Sequence, residues 1–376
     1  MIAEPQTPPA VLAAIRAPFA DVGGERVDPP ILQPLGVLLD LAGEALRERL
    51  FVVQAEGGEE ACLRPDFTVA LARRHLEQGA ADGRYVYEGR AFRAAGAGDD
   101  GFDEFLQLGL EVHLATDVDP VARDAEVAAL TWRAAIAGGR SDLRMVWGDA
   151  GLFGAFLDTL GLDAGSARRL KRLGARPRRL AAELARTDEV EPTEPTRLAQ
   201  LLAAAPEGEA AAALEEIWAL AGIEPVGGRT AAEIAHRLVG RAERASRARL
   251  SDGQVDAITA YLAIDDTTAS AMARIEDLAG ASEPLVARLG AWRRRLDRLS
   301  ADGVPEASMR LATSAGRSFD YYDGARFEIL SDALGPHRPV AAGGRYDTLL
   351  ARLGGEANAA VGCMVRPWRA FAGGES

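Results

Sequence analysis

The sequence predicts an α+β fold, an antiparallel sheet flanked by helices and interrupted by a helical insertion. Three observations predict it. Period-two alternation marks strands between Arg84 and Leu114 and again between Ser308 and Leu330. Leu35, Leu38, Leu39, Ala42, Leu46 and Leu50 recur at helical spacing before the first of these. Residues 164–300 are rich in Ala, Leu, Arg and Glu, with helical periods broken at Pro177, Pro192, Pro195, Pro206 and Pro225 and no convincing strand.

Taken in order, Pro5 to Pro9 form an arm without a core pattern, and a short helix follows through Val11 to Ile15. Pro29 and Pro30 set an extended lead into the Leu35–Leu50 helix of about four turns, which runs into a strand at Phe51 to Val53. Strands near Tyr85 to Tyr87 and Phe105 to Leu114, joined by the Gly/Asp loop Gly96 to Gly101, fit a hairpin. A helix from Pro120 to Ala137, a strand from Leu143 to Trp147 and a helix from Asp149 to Leu160 complete the first part. Strands return at Ser308 to Thr313 and Ala325 to Leu330, and the turn-like Gly343-Gly344-Arg345-Tyr346-Asp347 opens the last helix. The expected division is therefore residues 1–163 and 301–376 as the two parts of one core, with 164–300 inserted.

The composition bounds the function. With 48% hydrophobic and 26% charged residues, the 376-residue chain can bury a sizeable core. A net charge of −13 repels phosphate backbones, so no nucleic-acid partner is expected. Cys62 and Cys363 stand apart without a Cys/His cluster, so neither a disulfide framework nor a metal site is indicated. No apolar run approaches the roughly 18 residues of a membrane span and no leader is evident, which leads to the expectation of a cytoplasmic chain with no membrane partner.

Three clusters can carry chemistry. On the Phe105–Leu114 strand, Gln107, Gly109, Glu111 and His113 share one polar face and Leu108, Leu110, Val112 and Leu114 the other. Gln107 and Glu111 are separated by about 13 Å at the usual strand rise, and Gly109 between them leaves the backbone open to a ligand. Arg317, Asp320, Tyr321 and Tyr322 place a cation able to clamp a carboxylate beside two phenols. The glycine pair at 343 and 344 lacks the spacing of a phosphate loop and reads as a turn that sets Tyr346 against a pocket. Neither a nucleophile elbow nor a metal-binding spacing of the four histidines is present, so no catalytic residue and no cofactor is expected.

In order and spacing these segments resemble the histidyl-tRNA synthetase family, whose core is a class II aminoacyl-tRNA synthetase fold. Leu63 to Thr68 resembles its L-R-P-E-x-T segment, Gly89 to Arg93 the start of its second motif, and Phe105 to Glu111 its F-H-Q-x-G-x-E. Arg317 to Tyr322 is similar to R-G-L-D-Y-Y, and Gly343 to Asp347 matches G-G-R-Y-D. The resemblance implies a pocket for free L-histidine. Asp66, Thr68 and Gln107 would take the ammonium, Arg93 and Arg317 the carboxylate, and Glu111, Tyr322 and Tyr346 the imidazole, with Tyr321 beside Tyr322. Asp66 is one methylene shorter than the glutamate of the family pattern.

The departures from that family point away from synthesis. Ala94 to Asp103 has no basic residue and adds Asp99, Asp100 and Asp103, which is expected to repel a triphosphate. Val365 to Arg369 replaces the third motif with Arg369 at its arginine, and no anticodon-binding domain of about a hundred residues is expected after it. A synthetase paralogue altered in this way resembles the regulatory subunit family of ATP phosphoribosyltransferase, and Gly148 to Phe153 is similar to a G-D-x-G-L-F segment there. That resemblance implies a non-catalytic subunit that dimerises, joins a short-form catalytic subunit in a hetero-octamer and conveys histidine feedback. The alternatives are an ATP-dependent histidine-activating ligase and a synthetase-like RNA-binding accessory protein.

Overall fold

A computed structural model describes residues 1–41, 44–54, 58, 60–96, 98–115, 117–174, 177–185, 197–204, 209–221, 234, 238, 250–279, 282–314 and 321–374. The chain divides into two compact units, Met1–Thr159 with Thr259–Ser376, and Leu160–Ile258.

In the larger unit the N-terminal elements are α1 (Pro9–Ala20), β1 (Glu25–Val27), β2 (Leu32–Pro34), α2 (Leu35–Leu41), α3 (Glu44–Arg47), β3 (Val52–Val53), β4 (Ala61–Leu63), α4 (Thr68–Gln78), β5 (Gly83–Phe92), β6 (Glu104–His113), α5 (Pro120–Ile136), β7 (Leu143–Asp149) and α6 (Ala150–Asp158). The smaller unit holds α7 (Ala164–Leu173), α8 (Pro177–Leu184), α9 (Arg197–Ala204) and α10 (Glu209–Ala221). Next come α11 (Asp252–Leu262), which spans the division, β8 (Asp265–Thr267), α12 (Thr268–Ala279) and α13 (Glu283–Ala301). The chain closes with β9 (Met309–Ala312), β10 (Ala325–Ser331), β11 (Ala341–Arg345), α14 (Leu349–Arg352), β12 (Ala360–Val365) and α15 (Pro367–Ala370).

One sheet of nine strands, ordered β1-β5-β6-β12-β11-β10-β7-β9-β8, organises the larger unit. Its six central strands are antiparallel, as expected, but β1 joins β5 and β9 joins β7 in parallel, so the sheet is mixed. The hairpin of β5 and β6 extends for ten residue pairs, from Gly83↔His113 to Phe92↔Glu104. A second sheet has three short strands in the order β2-β4-β3.

Helix α5 lies across β10, β11 and β12, with α1 and α13 against it. Asp119 caps α5 by accepting from the Val121 amide at 3.0 Å, and Pro120 at the first turn has no amide to leave unsatisfied. The Asp149 carboxylate caps α6 through the Gly151 and Leu152 amides at 2.8 and 3.1 Å, while its second oxygen accepts the Trp292 indole N–H at 2.7 Å. The Gly148-Asp149-Ala150-Gly151-Leu152-Phe153 segment is thus a strand-to-helix junction bolted to α13.

Three expectations need correction. The Leu35–Leu50 helix, described over Leu35–Leu41 and Glu44–Arg47, ends short of Leu50. Gly343 and Gly344 are strand residues of β11 rather than a turn, and the rings of Phe327 and Tyr322 lie over them. The stretch 164–300 is not strand-free, because Asp265–Thr267 pairs antiparallel with β9. The compact unit Leu160–Ile258 lies within and just before the expected stretch 164–300. α13 has the Ala/Leu/Arg texture of the insertion, yet buries Trp292 and Leu299 against the sheet unit.

In the smaller unit Asp163 caps α7 through the Gly165 and Ser166 amides at 3.0 Å. Arg169 of α7 pairs with Glu183 of α8 at 3.0 Å, and Leu202 and Leu214 pack α9 against α10. Its described secondary structure is helical throughout.

Candidate functional site

The site lies between the polar face of β6, the start of α4 and the segment that leaves β11. Alternation along β6 puts Gln107, Gly109, Glu111 and His113 on one face, as expected, but that face is enclosed: Gln107 is 2% exposed, Glu111 and His113 1% each. Burial of so many polar groups requires partners, and Glu111 has two. Its Oε1 accepts from the Thr68 hydroxyl at 2.7 Å and its Oε2 from the Tyr346 hydroxyl at 2.5 Å. Burial nevertheless dominates and pushes the Glu111 carboxyl up to about 8, with the two hydrogen bonds pulling it down and the Asp66 charge adding to the rise.

Asp66 sits just before the amino end of α4, where the nearby Thr68 and Val69 amides favour its charged form and the Tyr321 hydroxyl reaches its Oδ2 at 3.3 Å. Burial again raises its carboxyl, opposed first by the Arg93 charge. Among the described residues, Asp66 Oδ1 and Gln107 Oε1 are buried acceptors without a hydrogen-bond partner. Two unmet acceptors in one enclosed site suit a ligand that brings N–H donors, an ammonium above all.

Three phenols form one wall. The Tyr321 and Tyr322 rings lie 4.8 Å apart, and Tyr346 stands 6.1 Å from the first and 6.4 Å from the second. Burial, followed by the Asp66 and Glu111 charges, raises the hydroxyls of Tyr321 and Tyr322 well above the ordinary phenol value, so both are donors at neutral pH. Arg93 lies over the Phe105 ring at 4.8 Å, and burial with the neighbouring Arg49 charge lowers its guanidinium to about 10. The structure therefore gathers Asp66, Thr68, Glu111, Tyr321, Tyr322 and Tyr346, with Arg93 in electrostatic reach of Asp66 and Gln107 on the same strand face. Arg317 and Asp320 lie outside the described residues.

Two expectations about this site change. Gly109 does not open the backbone to a ligand; the Tyr87 hydroxyl lies over it and donates to the Cys363 carbonyl at 3.1 Å. The acids of the 94–103 loop are not a bare negative field. Asp99 pairs with Arg49 and Arg369, both at 2.5 Å, and Asp100 with Arg369 at 2.7 Å and Arg366 at 3.6 Å. These arginines hold the Asp99 carboxyl down to about 2 despite its burial, so the loop acids are counter-ions of buried cations.

Sequence reasoning missed Tyr87, Phe105, Arg49 and Gly362. The first was detectable, since Tyr85 and Tyr87 alternate on the inner face of β5 opposite Gly109. A glycine at 362 within a strand also signals a close approach, and Glu111 is its partner in register. No group of three or more His, Cys, Asp and Glu able to hold a metal occurs among the described residues. Among them, too, no helix is long and apolar enough to cross a membrane.

The sequence model of the histidyl-tRNA synthetase family matches residues 8–250 and 235–367. Relatives named ATP phosphoribosyltransferase regulatory subunit match almost end to end. That of Chelativorans sp. strain BNC1 is 35% identical over 352 residues, 93% of this chain and 92% of its own. That of Mesorhizobium japonicum is 36% identical over 358 residues, 92% of each chain. The chain belongs to the ATP phosphoribosyltransferase regulatory subunit family. Family membership supports the sequence reading of a regulatory chain built on a synthetase-like core. Solved structures carry the fold alone. A Bacillus halodurans chain described as an ATP phosphoribosyltransferase regulatory subunit/histidyl-tRNA synthetase superposes with a TM-score of 0.67 at 20% identity, covering 99% of this chain and 81% of that one. The histidyl-tRNA synthetase of Nostoc sp. PCC 7120 gives 0.59 at 17% identity, over 96% and 69%. The family core is therefore of the class II synthetase type, as the sequence predicts.

Proposed function

We propose that this chain is the non-catalytic regulatory subunit of ATP phosphoribosyltransferase, required by a short-form catalytic subunit and carrying histidine feedback on the first step of L-histidine biosynthesis in the cytoplasm. The observation that carries the reading is the buried polar cluster in which Glu111 is bracketed by Thr68 and Tyr346 while Asp66 and Gln107 keep unmet acceptors. Free L-histidine matches that inventory. Its ammonium supplies donors for Asp66 and Gln107, its carboxylate suits Arg93 and Arg317, and its imidazole can bond Glu111 and the phenols of Tyr322 and Tyr346. Thr68 serves the site by holding Glu111, and Tyr321 by holding Asp66. The reading includes a homodimer within a hetero-octamer, by analogy with the family.

In this reading histidine acts by differential affinity, favouring the assembly state in which the catalytic subunit is slow. The test is reconstitution. Added to a short-form catalytic subunit, the chain is expected to co-elute with it, to raise the rate of phosphoribosyl transfer to ATP, and to make that rate sensitive to L-histidine. Absence of both co-elution and stimulation would overturn the proposal.

A further inference from the structure

From Arg93, which feels the Asp66 charge, cation–π contacts on one shared ring and buried ion pairs lead to the N-terminal arm. At the pocket end, Arg93 lies over one ring, Phe105, that also carries Arg366 at 3.7 Å. Arg366 donates to Glu4 at 2.9 Å and is paired with Asp100 at 3.6 Å. Glu4 is 4% exposed and also accepts from the Leu106 amide at 2.5 Å, which pins the arm to the beginning of β6. The arm backbone is zipped to the same place: the Glu4 amide donates to the Glu104 carbonyl at 2.8 Å and the Asp103 amide to the Ile2 carbonyl at 2.8 Å. Beyond these anchors Met1 and Ile2 present apolar side chains, 69% and 60% exposed.

Buried charges tied in this way cannot rearrange singly, because each displaced partner would leave another charge unpaired. We propose that the β5–β6 hairpin tip is a relay that couples the charge state of the pocket to the docking of residues 2–4. The relay rests on the histidine-pocket reading for its natural input, yet its mechanics do not need the ligand. Neutralising Asp66 removes the anion that shares Arg93, so Arg93 draws on the tip acids instead and the clamp around Arg366 and Glu4 slackens. By reciprocity, loosening the arm weakens whatever binds the pocket.

The test is hydrogen exchange of the full chain, read at the Glu4 and Leu106 amides relative to the β10 amides, which report global stability. Without ligand, D66N and R369Q are each expected to speed Glu4 and Leu106 exchange at least fivefold over that reference. Exchange within twofold of wild type in both would overturn the relay, whatever L-histidine does. With saturating L-histidine, wild-type Glu4 exchange is expected to slow at least threefold, and E4Q to bind histidine about fivefold more weakly. If calorimetry finds no histidine binding, the sensor reading fails while the D66N comparison still decides the relay. If histidine binds and Glu4 exchange is unmoved, the relay fails and the sensor reading stands.

Discussion

Glu111 and Gly362 face each other across the ladder between β6 and β12, and the Glu111 carboxylate lies in the space that a side chain at 362 would fill. A Cβ there would run into both carboxylate oxygens, with no flexible tip to yield because Thr68 and Tyr346 hold them. Gly362→Ala is therefore expected to cost about 2 kcal/mol, in the range of overpacked cores. It should also weaken L-histidine binding at least tenfold. Urea denaturation and calorimetry on the same preparation check both.

The Tyr346 and Glu111 side chains act as one unit. Tyr346→Phe removes a donor from a fully buried carboxyl, with an expected loss of about 1–3 kcal/mol. In a double-mutant cycle, the same change in a Glu111→Gln background should cost distinctly less. Equal costs in both backgrounds would mean that the short contact contributes nothing.

A buried carboxyl raised from 4.5 to about 8 makes a signed prediction about pH. Between those values the folded ligand-free protein keeps a proton on Glu111 that the unfolded chain has released. The Glu111 contribution is therefore fully present below 4.5 and is lost as pH rises through about 8. Compared with Glu111→Gln, wild type should lose roughly 1 kcal/mol per pH unit across that window. Chemical denaturation of both proteins at several pH values reads the difference directly.

His113 works in the opposite sense. Its ring stacks on His75 at 4.0 Å, neither of its nitrogens has a hydrogen-bond partner among the described residues, and burial lowers it from 6.5 to about 3. Below 6.5 the unfolded chain takes up a proton that the folded one refuses, so this contribution falls as pH drops toward about 3. His113→Phe keeps the stacked shape without the orphaned nitrogens. It should match or exceed wild type by up to about 1 kcal/mol at pH 7. Its advantage should widen as the solution is acidified, which a thermal-melt series checks.

The hairpin of β5 and β6 was legible because alternation along the second strand leaves little choice of face. Asp66, Thr68, Glu111 and Tyr346 were legible through their motifs, and they do converge. What escaped was set by partners distant in sequence. The polar face of β6 reads as solvated until α4 and the tyrosines close over it. The loop acids read as a repulsive field until Arg369, 270 positions from Asp99, comes to meet them. α13 has the same composition as the helices before it, so its sequence does not reveal that Trp292 meeting Asp149 and Arg295 meeting Asp124 tie it to the sheet unit. β8, at three residues, is too short to leave a periodic trace.

Calorimetric titration of L-histidine into the purified chain, alone and with a short-form catalytic subunit, decides whether the chain is a histidine sensor. Saturable binding at one site per chain is expected, abolished by Asp66→Ala and weakened by Gln107→Leu. No heat of binding in either preparation, or binding unchanged by both substitutions, would contradict it.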